Sequence, residues 1–91
     1  MTEITLQVRV SGRVQGVWFR GWTQAEARAL GLKGWVKNLP DGDVAACLSG
    51  PKPHVEKMIA ALHRGPEAAI VRDVTWEPAP RFDGAGFGIL R

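Results

Sequence analysis

Ninety-one residues, 45% of them hydrophobic and 23% charged, are enough for one modest globular core and no more, so a single domain over 1–91 is expected. A formal net charge of +3 favours anionic partners, whether small anions or nucleic acid, over cationic ones without choosing between the two. One cysteine, Cys47, excludes an intrachain disulfide and suits a reducing compartment; Met1–Arg9 has no apolar signal segment and no run approaches a membrane span, so a cytoplasmic protein without a membrane partner is expected.

Ile4, Leu6, Val8 and Val10 alternate with Thr5, Gln7, Arg9 and Ser11, the pattern of a strand with one buried face. The strand runs into Val10–Arg20, which holds two glycines, two arginines and no acid. Gly12 and Gly16 allow positive φ or close approach to a ligand. Amides turned inward there make an anion-binding nest, and the start of a following helix adds positive partial charge. The Arg20 guanidinium offers a planar fork suited to phosphate. A basic surface turn has the same composition, and Gly-x-x-x-Gly is neither the P-loop nor the dinucleotide pattern, so this stretch alone leaves both readings open.

Trp22, Ala25, Ala29 and Leu30 then recur at near-helical spacing, predicting a helix of about three turns that ends at Gly31. Leu32–Asn38 reads as a second strand and Val44–Leu48 as a third. Between them, Leu39-Pro40-Asp41-Gly42-Asp43 is turn chemistry, so the two strands should form an antiparallel hairpin. Pro51 is expected at the first position of a second helix, whose stripe is Val55, Met58, Ile59 and Leu62, and Gly65-Pro66 stops it. Ile70–Glu77 reads as a fourth strand, Pro78–Gly86 as irregular and Phe87–Leu90 as a short closing strand.

This order, strand, helix, strand, strand, helix, strand, is the ferredoxin-like split β-α-β arrangement of the α+β class. Right-handed crossovers place both helices on one face of an antiparallel sheet, with strands one and three central. Strand two is expected to lie beside strand one, bringing Asn38 towards the basic loop. The alternation leaves open which sheet face takes Trp35 and Trp76.

Few residues here suit catalysis by the usual groups. His54 and His63 lie nine residues apart without a carboxylate or cysteine cluster, so surface histidines rather than metal ligands are expected. Cys47 lies mid-strand among small residues and reads as a packed hydrophobe. Ser11, Thr23 and Ser49 have no evident base, and Asp41 and Asp43 belong to the turn. Arg20 and Asn38 remain. Asn38 is either a turn residue bonded to its own backbone or an amide able to donate to and accept from a water. The four tryptophans and the basic balance raise an RNA-binding reading, but neither central strand carries an aromatic on which a base would stack.

Two stretches together carry a resemblance. Val10-Ser11-Gly12-Arg13-Val14-Gln15-Gly16-Val17-Trp18-Phe19-Arg20 resembles the first signature of the acylphosphatase family. Gly34-Trp35-Val36-Lys37-Asn38, three residues, Gly42, one residue, Val44, five residues and Gly50 resembles its second. The resemblance implies hydrolysis of a small-molecule acyl phosphate to a carboxylate and inorganic phosphate, with no metal or organic cofactor. By motif position it implies backbone donors from Arg13, Val14, Gln15, Gly16, Val17, Trp18 and Phe19, phosphate binding by Arg20, and a water positioned by Asn38. The chemistry is consistent with that set. A carboxylate leaving group, whose acid has a pKa of roughly 4, needs no general acid. Phosphoryl transfer then asks for positioning and charge stabilisation. A similar motif opens larger hydrogenase-maturation carbamoyltransferases; the short chain favours a free-standing enzyme, and monomer is the default. The alternative is a non-catalytic anion- or RNA-binding module on the same fold. Ala45 stands where many members carry Glu, and Gly88 weakens the final strand; both are expected to affect stability and the tail rather than the chemistry.

Overall fold

A computed structural model describes residues 2–91. In chain order the elements are β1 (Glu3–Arg13), α1 (Phe19–Ala29), β2 (Lys33–Asn38), β3 (Val44–Pro51), α2 (Lys52–Arg64), β4 (Ile70–Pro78) and β5 (Phe87–Leu90). The five strands form one sheet in the order β4-β1-β3-β2-β5. β1 and β3 are central, as right-handed crossovers require. β5 joins β2 in parallel, which makes the sheet mixed.

The alternation of β1 sets the two faces. Val8 and Val10 face the helices and pair with Ala46 and Val44 of β3; Val36 of β2 continues the first row. α1 adds Phe19 and Ala27 to this layer, and α2 adds Val55, Met58 and Leu62; all are essentially fully buried. The stripe of α2 therefore meets the sheet as its spacing predicts. On the other face, Arg9, Ala45 and Lys37 form one row, and Gln7, Cys47 and Trp35 the next. Lys37 Nζ lies 5.3 Å from the centre of the Trp35 ring. Cys47 is a free, buried thiol, and burial pushes its pKa up, so it packs as a small hydrophobe. Trp76 pairs with Val8 and so belongs to the helix side, edge-on to His63 of α2 at 6.5 Å.

Three expectations need correction. β2 does not lie beside β1, because β3 occupies that place between them. Asn38 still reaches the loop side, since it pairs with Val44, which pairs with Val10, in one row across three strands spaced about 4.8 Å apart. Pro51 is not the first helical residue. With φ −57° and ψ 135° it ends β3 and caps α2, and Pro53 takes the tolerated place in the first turn. β1 runs past Ser11 to Arg13 through a register shift at Ser11/Gly12. Gly12 has φ 127°, and a Cβ there would lie 2.2 Å from the Ile70 carbonyl oxygen, so only glycine lets β4 close on the bulge.

Candidate active site

Between the end of β1 and the start of α1 the backbone turns twice through the left-handed region, at Gly16 (φ 74°) and Trp18 (φ 62°). Trp18 caps α1, yet its side chain makes no cap hydrogen bond, and the first turn carries no acid. The first amides of α1 therefore have no partner within the helix. Among the described residues, the first backbone hydrogen bond outside the regular elements after β1 is donated by Trp22 to the Trp18 carbonyl, at 3.1 Å. Unpartnered amides, alternating backbone sense and a helix start together make a concave donor set for an anion. Arg20, the second residue of α1, adds a guanidinium that enters no ion pair among the described residues.

The second half of the site is held by the β2–β3 turn. The Leu39 amide donates to the Asp43 carbonyl at 2.8 Å, and the Asp43 amide donates to Asp41 Oδ1 at 3.0 Å. Arg9, from the open face of β1, donates to both acids, with Nε 2.7 Å from Asp43 Oδ2. The Asp41 carboxyl is held below the usual carboxylate range, first by the Asp43 amide and then by the Arg9 charge. From the other side, Gln15 Nε2 donates to the Leu39 and Asp43 carbonyls, both at 2.8 Å. Gln15 thus bridges the loop before α1 to the turn that follows Asn38. Losing two such bonds at about 0.5–1.5 kcal/mol each, Gln15→Leu should lower stability by about 1–3 kcal/mol. Urea unfolding is expected to show a lower midpoint at unchanged slope.

Val14, Gly16, Trp18, Phe19, Arg20 and Asn38 line one open cavity of about 630 Å³. Of the other loop residues, Arg13 ends β1 with an exposed side chain, Gln15 turns to the β2–β3 turn, and Val17 packs against the core. The Asn38 side chain enters the cavity wall with its Oδ1 buried and unpartnered among the described residues. Among the described residues, no protein donor fixes the sense of that amide. Three residues of the lining were not anticipated: Gly21, Ile89 and Arg91. The last two come from the tail. β5 pairs Lys37 with Leu90, so its end runs beside the end of β2 that carries Asn38. A four-residue apolar segment carries no sign of its partner strand, so only the packed sheet places it there. Among the described residues, no three His, Cys, Asp or Glu side chains gather as a metal site.

The acylphosphatase family model matches residues 6–89. The acylphosphatase of Rhodospirillum rubrum is 51% identical over 83 residues, covering 91% of each chain. That of Rhodopseudomonas palustris is 53% identical over 96 residues, covering 99% of this chain and 97% of the relative. An acylphosphatase structure from Coxiella burnetii superposes with a TM-score of 0.93 at 39% identity, covering 97% of this chain and 93% of that one. The family model spans both signature stretches, the relatives match nearly the whole length, and the chain belongs to the acylphosphatase family.

Proposed function

We propose that this acylphosphatase works by direct attack of a water held by Asn38 on a phosphoryl group bound by the loop amides and Arg20. The observation that carries this reading is the cavity itself. It brings together a helix start without a side-chain cap and, among the described residues, a guanidinium in no ion pair and an amide whose buried Oδ1 has no protein partner. The water oxygen forms a bond to phosphorus, the bond from phosphorus to the acyl oxygen breaks, and its electron pair leaves with the carboxylate. The water's protons pass to the phosphate product and solvent. The amides and Arg20 stabilise charge on the equatorial oxygens, and Asn38 sets the line of attack. A carboxylate leaves without protonation, so the mechanism requires neither an acid group nor a metal. The enzyme is proposed to act as a cytoplasmic monomer on acyl phosphates, without a nucleic-acid or membrane partner.

Following the absorbance of benzoyl phosphate with purified protein tests this directly. The expected rate is the same with and without EDTA. An alkyl phosphate ester, whose alkoxide is a poor leaving group, should be hydrolysed at a negligible rate. A substantial loss of rate in EDTA, or comparable turnover of the ester, would contradict the mechanism.

A further inference from the structure

Trp18 is the only non-glycine residue with positive φ among the described residues. A bulky L-residue in that region costs roughly 1–2 kcal/mol. Burial does not offset the strain, because Trp18 is 71% exposed. The indole is nevertheless placed, not loose. It lies against Gly21, where a Cβ would come within 2.3 Å of Nε1 and 2.5 Å of Cε2. The missing side chain at residue 21 is what lets the ring settle over the first turn of α1. Ile89 of β5 lines the same cavity and is 41% exposed. Both apolar groups border the cavity that holds Arg20 and Asn38. A strained, seated and exposed aromatic beside an anion site points to a function at that site.

We infer that Trp18 and Ile89 form a subsite for the acyl group, so that the enzyme prefers acyl phosphates with an aromatic or bulky apolar acyl part. The inference rests on the proposed hydrolytic function and names its substrate class. An anion cradle alone binds the phosphoryl end, which all acyl phosphates share, and cannot tell them apart. The indole face supplies the discrimination: it is a large, rigid apolar surface that stacks on a ring and has little to gain from a methyl group. Trp18 acts here through its side chain, apart from any donor role of its backbone.

The test is the ratio of kcat/KM for benzoyl phosphate to that for acetyl phosphate. Intrinsic reactivity differs between these substrates but cancels when variants are compared by this ratio. Trp18→Gly keeps the backbone conformation accessible and removes the ring; Trp18→Phe keeps an aromatic face. The ratio should fall about tenfold in Trp18→Gly, stay near the wild-type value in Trp18→Phe, and fall by a smaller factor in Ile89→Ala. A Trp18→Gly ratio within twofold of wild type overturns the subsite. So does an equal fall in Trp18→Phe, which would trace the effect to loop conformation rather than to the ring. A wild-type protein that hydrolyses neither substrate would instead remove the hydrolytic reading, and the subsite with it.

Discussion

Replacing Arg20 with alanine is expected to lower kcat/KM for benzoyl phosphate by about a thousandfold or more, the scale on which preorganised donors and guanidinium groups act on phosphoryl transfer. Inhibition by inorganic phosphate should weaken in parallel, because the proposed role of the guanidinium includes binding the dianion in the ground state. Arg20→Gln should behave like alanine, since its amide is shorter than the guanidinium, has two N–H donors in place of five and carries no charge. Arg20→Lys keeps the charge without the planar fork and should recover only part of the loss. The fold should survive all three, because Arg20 makes no ion pair among the described residues and is only partly buried. Steady-state rates, phosphate inhibition constants and thermal melts on the same preparations give the answer. Turnover near wild type in Arg20→Ala would remove Arg20 from the site.

Asn38→Ala should separate turnover from binding. The amide is placed at the end of β2, in a row with Val10 and Val44, and its Oδ1 has no protein donor among the described residues. Its proposed task concerns the nucleophile alone. Loss of that positioning should cost about a hundredfold in kcat, or about 2.7 kcal/mol of barrier. The phosphate inhibition constant should stay within about threefold, because the loop amides and Arg20 are untouched. Asn38→Asp is a sharper control. It keeps the shape but places a carboxylate against an incoming phosphate, so turnover and phosphate binding should fall together. If Asn38→Ala itself loses both with an intact melt, Asn38 is a ligand or a structural residue and the water is held elsewhere.

The site was partly visible in the amino-acid order because its pieces are local. Gly12, Gly16 and Arg20 fall between an alternating strand and an amphipathic helix, and a turn at that junction exposes amides whatever surrounds it. The two signature stretches added Asn38 to the same site. Gln15 is different. Its side chain spans from the loop before α1 to the Leu39 and Asp43 carbonyls, a contact between segments more than twenty residues apart. No periodicity or turn preference encodes which glutamine makes such a bridge. The departures at Ala45 and Gly88 also read differently once packed. Ala45 lies between Arg9 and Lys37 on the open face, away from the cavity, while Gly88 belongs to the strand whose next residue lines it. The tail thus bears on the site as well as on stability.

Read alone, the chain determines a βαββαβ order, one buried face of β1, the stripe of α2, the hairpin at Asp41-Gly42 and a basic loop ahead of α1. These follow from side-chain period and turn chemistry, which act over a few residues. The tertiary structure decides which strands become neighbours and which faces the isolated aromatics take. It inserts β3 between β1 and β2, sends Trp76 to the helices and Trp35 to the open face, and lays β5 beside Asn38. It also holds Trp18 in a left-handed conformation over Gly21. These outcomes depend on burying surface against residues distant in the chain, and a local pattern carries no record of them.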